Sequence, residues 1–328
     1  MKILYGAVFE GNAEKGAEYW INRALNDLGH STVCVDYRAN RYNVAAQIRG
    51  VSDYDVVFIQ RGDKFPLGLL RSFRAPKAFW ETELPDKYRD HEKILDSGLF
   101  DHIFTWSSEH GRSLVSRNII REEDCSIMQG AFEPGFHKRL PEVEKDIDVL
   151  FVGTITGRRA AILEKIRRHC NLQVISAFGH DMVRAINRAK IVLNIHAQNV
   201  LTTETRVYEV LGAGGFLLSE QLCRDSRFTD EHLCQIPLGD VESLLRKIKD
   251  VLARPEERSR IAQCGHQEAL SKHTYAHRAD QLIGTFEKYR RGEGREVLDE
   301  RAFRRFARAE MVRRAVRGLR ITAKSLFR

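Results

Sequence analysis

Cysteine is sparse and scattered: Cys34, Cys125, Cys170, Cys223, Cys234 and Cys264 form no Cys-x-x-Cys pair and no His/Cys cluster at metal spacing. That argues against a disulfide scaffold and a structural zinc site, and implies reduced thiols in a cytoplasm. No run approaches 18 apolar residues, so no segment is expected to span a membrane. The opening Met1 to Val8 is too short an apolar run for a signal peptide and reads as a first strand. After that strand the dinucleotide fingerprint Gly-x-Gly-x-x-Gly is missing, which removes the main support for an NAD-binding reading.

What remains is a chain built for cores. Its 328 residues are 43% hydrophobic and 30% charged, which suits two domains of roughly 100–200 residues each. The first half alternates strands (Ile3 to Val8, Thr32 to Val35, Asp55 to Ile59, Lys77 to Trp80, Ile103 to Trp106, Cys125 to Met128) with helical segments. Such alternation implies a parallel sheet with right-handed crossovers, whose ligands sit at the carboxyl ends of the strands. That rule selects Glu10 and Gly11 in the first loop, Glu81 and Glu83 beside Trp80, and His110 after Trp106. A loop glycine lets backbone approach a ligand closely, and loop carboxylates are candidate bases or acceptor contacts.

The chain is organised around Lys190 to Glu220. It reads as a buried strand (Ile191 to Ile195), a short helix (about Glu204 to Leu211), a glycine-punctuated turn and a second buried strand (Phe216 to Leu218). On the helix, Glu209 lies three residues after Arg206 and four after Thr205, so carboxylate, guanidinium and hydroxyl share one side. The helix N-terminus favours an anion such as phosphate. Upstream, Ile147 to Val152 is a strand followed by Gly153, Gly157 and Arg158 at a helix start. There glycines admit a diphosphate and a planar guanidinium can clamp two of its oxygens. His196 stands at the mouth of the next strand.

Together these residues resemble the donor half of GT-B glycosyltransferases, nearest the spore-maturation-protein-like branch. Arg206-x-x-Glu209, the Ala213-Gly214-Gly215 turn, the Val152-Gly153 to Arg159 loop and the His273-Thr274-Tyr275 to Arg278 stretch carry the likeness, which covers residues 147 to 285 best. The resemblance implies an α/β chain of two Rossmann-like domains, with parallel sheets facing across a cleft. The expected divisions are an acceptor domain at 1–138, a linker at 139–146, a donor domain at 147–290 and a basic helical tail at 291–328. It implies transfer of a sugar from a nucleotide-diphosphate donor to a glycan, a lipid-linked glycan or a protein, hexosyltransferase-like, with no cofactor and no metal. Glu10, His196 and Arg206 would be catalytic. Gly11, Gly153, Gly157, Arg158, Thr205, Arg206, Glu209 and Gly214 would bind the donor, and Glu81, Glu83 and His110 the acceptor. The carboxylate that retaining relatives place eight residues before Glu209 is missing, since Leu201 stands there and Glu204 is a displaced substitute.

The net charge of +8 gathers at the end, where Glu310 is the single acid after Arg301. The apolar residues there sit on two faces, Ala302, Phe303, Phe306 and Ala307 on one and Val312, Val316, Leu319 and Ala323 on another, which predicts a bend or two short helices. This tail suits a peripheral anchor on an anionic membrane surface, or packing against the first domain; nucleic acid ranks last, as no recognition motif accompanies the charge. Two competing functions are a GT-B type sugar-nucleotide epimerase and a non-catalytic GT-B-like module.

Overall fold

The computed structural model describes residues 1–39, 43–51, 53–82, 93–289 and 296–326, with side chains to 317 in the last stretch. Glu83 therefore lies outside the described residues. The chain divides into two compact units, Met1–Met128 with Ala279–Arg328, and Gln129–Arg278.

The first unit is a six-stranded parallel sheet: β1 (Lys2–Ala7), β2 (Ser31–Asp36), β3 (Val56–Gln60), β4 (Lys77–Trp80), β5 (His102–Thr105) and β6 (Cys125–Ile127), in the order β2-β1-β3-β4-β5-β6. All five residues of β3 are buried, as a central strand covered on both faces requires. Helices α1 (Ala17–Asp27), α2 (Val44–Ile48), α3 (Leu67–Leu70) and α4 (Ser108–Ser116) fall in the connections. Helix α3 is a single turn, with Pro66 before its first residue and Ser72 hydrogen bonding back to the Leu69 carbonyl just past its end.

The second unit repeats the pattern with five parallel strands: β7 (Ile147–Val152), β8 (Leu172–Ile175), β9 (Ala189–Asn194), β10 (Leu217–Glu220) and β11 (Cys234–Ile236), in the order β11-β10-β9-β7-β8. Its helices are α5 (Gly157–Arg167), α6 (Gly179–Arg188), α7 (Thr205–Gly212), α8 (Val241–Ala253) and α9 (Pro255–Lys272). Strand order reverses between β7 and β9, so the crevice at their carboxyl ends is where a ligand of this sheet belongs. Helix α10 (Tyr275–Tyr289) begins in the second unit and ends in the first.

The expected linker at 139–146 is corrected by this division. Lys138 to Asp146 is sewn onto the second unit by Asn187, whose side chain accepts from the Leu140 N–H (2.8 Å) and donates to the Lys138 carbonyl (3.1 Å). The Lys145 ammonium adds bonds to the Asn187 and Ala189 carbonyls at 3.2 and 2.9 Å. The chain enters the unit at Gln129 and leaves at Arg278, and one buried side chain ties both points. Arg278 donates to the carbonyls of Gln129 (2.8 Å), Gly130 (2.9 Å) and Lys272 (3.0 Å).

The basic tail is one helix, α11 (Glu300–Leu326), not two. Its two apolar patches do different work. Phe303 and Phe306 are buried in the core of the first unit beside Leu69 and Leu70. Glu310, also buried, accepts from the Val44 and Ala45 N–H groups at 2.9 Å each, capping α2 from outside. Met311, Val312 and Val316 are exposed.

Candidate active site

At the β7/β9 reversal, three loops meet the starts of α5 and α7. Gly153, with φ of 154°, takes the chain out of β7 in a conformation other residues avoid. Thr156 caps α5, accepting from the Arg159 N–H, which leaves the N–H groups of Gly157 and Arg158 at the helix tip. A side chain at Gly157 would meet open space, so that tip is accessible.

Arg158 and Arg159 hold the loops instead of standing open. The Arg158 fork grips Glu220 through both terminal nitrogens (2.8 and 2.5 Å), and donates to the His196 carbonyl at 2.8 Å. Glu220, 2% exposed at the end of β10, also accepts from the His196 and Gly239 N–H groups at 2.8 Å each. Burial alone would raise the Glu220 carboxyl, but Arg158 and these two N–H groups hold it below the usual carboxylate range. One carboxylate thus gathers the exits of β9, β10 and β11 onto α5. Arg159 is buried below, donating to the carbonyls of Ile195 (2.7 Å) and Thr154 (3.0 Å) and to Glu204 at 2.5 Å. Glu204 in turn accepts from the Ala197 N–H at 3.0 Å.

His196, expected to be catalytic, is turned inward and 1% exposed. Its Nε2 lies 2.9 Å from the Gln221 carbonyl, which can only accept, so Nε2 carries the proton and Nδ1 faces the Thr202 hydroxyl at 3.3 Å. Both ring nitrogens are consumed by the loop, so the expected role is corrected to a structural one.

Arg206 and Glu209 lie behind the start of α7. Glu204 precedes α7 but spends its carboxylate on Arg159 and Ala197, so no side chain caps the helix. Thr205, the first helical residue, is exposed. An uncapped tip beside the switch-point loops is an anion-binding geometry. One turn on, Glu209 is 7% exposed, with Arg206 Nη1 at 2.8 Å and His137 Nε2 at 3.6 Å. His137 accepts from the Glu133 N–H at Nδ1 (3.2 Å), which turns its Nε2–H toward Glu209. Burial holds this imidazole below its ordinary value, partly opposed by Glu209. His137 was not selected from sequence; its only signal was a place after the Glu133-Pro134-Gly135 turn. Gly214, expected at the donor, ends α7 instead: it has φ of 69°, its N–H bonds to the Leu211 carbonyl and that of Gly215 to the Val210 carbonyl, both at 2.9 Å.

In the first unit, Glu10 is exposed and its N–H donates to Asp36 at 2.8 Å, as does that of Phe9. Gly11 supplies the turn with φ of 75°. Glu81 is fully buried at the carboxyl end of β4, and His110 Nε2 lies 2.8 Å from its Oε2. The imidazole stacks on Trp106 with ring centroids 5.7 Å apart. Glu81 and His110 are therefore one pair, brought together from the end of β4 and the first turn of α4.

Two Asp-x-Asp triplets are present, at Asp53–Asp55 and Asp146–Asp148. Both lie at the amino ends of strands, away from the ligand edge, and Asp53, Asp146 and Asp148 pair with Lys2, Arg188 and Lys190 respectively.

Two parallel sheets with helices, each with a switch point, define a GT-B fold. Residues 141–284 match the family model described as glycosyl transferase-like, so the family likeness rests on the second unit and its α7 site. The chain is similar in fold to Anabaena Alr3699/HepE in complex with UDP-glucose, at a TM-score of 0.70 and 11% identity, covering 88% of this chain and 100% of that one. Sucrose-phosphate synthase from Thermosynechococcus elongatus aligns at a TM-score of 0.67 and 10% identity, over 88% and 98% of the two chains. A glycosyltransferase from Rickettsia africae ESF-5 gives 0.65 and 11%, over 88% and 98%. Curated protein sequences give no match. The narrower spore-maturation-protein branch finds no support in these likenesses.

Proposed function

We propose that this chain transfers a sugar, a hexose in the first instance, from a nucleotide-diphosphate sugar to a glycan or lipid-linked glycan. The observation that carries the reading is the uncapped start of α7 with Arg206 and a buried Glu209 behind it, inside the segment that matches the family model. Glu209 accepts from the ribose hydroxyls. The α7 tip, the α5 tip at Gly157 and Arg206 hold the diphosphate and offset its charge as the glycosidic bond breaks, so that no metal is needed. Arg158 is assigned to loop positioning through Glu220, since a phosphate could claim its fork only by displacing a buried carboxylate. The acceptor side falls to the first unit, with Glu10 and the Glu81–His110 pair as its acid–base groups.

UDP-glucose is the first donor to test, because a structural neighbour was solved with it. Donor hydrolysis or transfer that survives EDTA and is lost in Glu209→Ala supports the reading. Activity restored only by added Mg²⁺ or Mn²⁺ would remove the metal-independent step. Failure of every UDP-, GDP-, dTDP- and CMP-sugar to raise the melting temperature would favour the non-catalytic module. The proposed setting is the cytoplasm, at the inner face of a membrane; no described helix is long and apolar enough to cross one.

A further inference from the structure

Helix α11 turns one side to the core of the first unit through Phe303, Phe306, Ala307 and Glu310. The opposite side is exposed and carries Arg301, Arg304, Arg305 and Arg308, followed by Met311, Val312 and Val316. The spacing of Arg301, Arg305, Arg308, Val312 and Val316 is the i, i+4, i+7 progression of one helical face, about 22 Å long. No acid interrupts it. Glu310 points inward as the cap of α2, and Glu300, 3.5 Å from Arg304, stands before the stripe begins.

We propose that this outward face of α11 docks on an anionic lipid bilayer, with the arginines on the headgroups and Met311, Val312 and Val316 entering the boundary with the acyl chains. The order of residues suits that surface: guanidinium groups satisfy phosphates while adjacent apolar side chains leave water. Nucleic acid fits less well, because the two aromatic rings of the helix, Phe303 and Phe306, are buried and offer no stacking surface, and the exposed valines would gain nothing on a phosphate backbone. A second copy of the chain fits less well again, since a two-fold contact would set arginines against arginines. Docking on lipid stands apart from the transferase reading, because it is measured without donor.

The test is co-sedimentation of the full chain with vesicles of phosphatidylcholine carrying about one-third phosphatidylglycerol, against vesicles of phosphatidylcholine alone. Binding is expected only to the anionic vesicles, falling as salt rises. The triple variant Arg301→Gln, Arg305→Gln, Arg308→Gln should lower the partition coefficient roughly a hundredfold, at the scale of one headgroup interaction per arginine. Val312→Ser with Val316→Ser should lower it about tenfold at unchanged net charge. All five residues are exposed, and an unshifted melting temperature confirms that each variant is folded. Absence of binding to anionic vesicles at low ionic strength overturns the proposal. So does wild-type partitioning in both variants, or a face that retains single-stranded RNA or self-associates in sedimentation while ignoring lipid.

Discussion

At the residue scale, the site rests on which carboxylate each arginine answers to. Arg206 and Glu209 stand three apart on one helix, so a sequence reading pairs them with only helical geometry in hand. Arg158 is different: its partner Glu220 is 62 residues away, and only the sheet brings them together. Nothing local marks Glu220 beyond its place at the end of a buried strand. His196 stands at a loop mouth, but Thr202 and, from the next strand exit, Gln221 close it in. Removing Arg158 leaves a buried carboxylate without its fork, so Arg158→Ala should destabilise the fold by about 3 kcal/mol in urea denaturation. The depressed Glu220 carboxyl gives the sign of its pH dependence. Its contribution is present above the ordinary glutamate value and lost as pH falls through the lower folded value. In Arg158→Ala the acid-side slope below about pH 4.3 should flatten. His110→Gln, by contrast, should lower turnover with donor affinity unchanged, if the Glu81–His110 pair serves the acceptor.

At the scale of elements, most strands and the α7 segment were legible, because buried runs such as Ile191 to Ile195 and Phe216 to Leu218 are bounded by turn residues on both sides. The roles of the glycines were not. Gly214 looks like a phosphate-binding glycine and is a helix terminator; Gly212 is a packing glycine, where an added Cβ would lie 2.1 Å from the buried Phe132 ring. Two substitutions separate these duties. Gly214→Ala meets the left-handed conformation and sets a Cβ 2.2 Å from the Arg139 side chain, which must move aside; it should cost about 1–2 kcal/mol, with donor binding kept. Gly212→Ala must displace an aromatic ring and should cost about 1–3 kcal/mol. Denaturation midpoints with and without donor decide both. The tail was half legible. Its basic charge and its two apolar patches were visible, but that Phe303 and Phe306 are core while Val312 and Val316 are exposed depends on where α2 and α3 lie.

At the scale of the molecule, the parallel α/β class and the presence of two units followed from alternation and length, while the boundaries did not. The crossing at Gln129 opens a turn segment that holds Gly130, Pro134 and Gly135, whereas the one at Arg278 lies inside a helix and leaves no local mark; a buried guanidinium on carbonyl oxygens ties the two. Lysine cannot reproduce that planar fork, so Arg278→Lys should destabilise nearly as much as Arg278→Ala. Buried imidazoles set the acid limit of the whole fold. Burial pushes His102 down to about 4 and His273 to about 3, so both are neutral in the native chain. A folded value below the unfolded one means stability is full above the ordinary histidine value and falls on acidification beneath it. Between pH 7 and pH 5, each of the two should remove about 2 kcal/mol of unfolding free energy.

The central claim is that the second unit holds a nucleotide-diphosphate sugar at the start of α7. Calorimetric titration of UDP-glucose into the wild-type chain and into Glu209→Gln tests it most directly. Saturable 1:1 binding, weakened about tenfold or more in a variant that melts at the wild-type temperature, is the predicted result. Equal affinity in the two proteins would contradict the account.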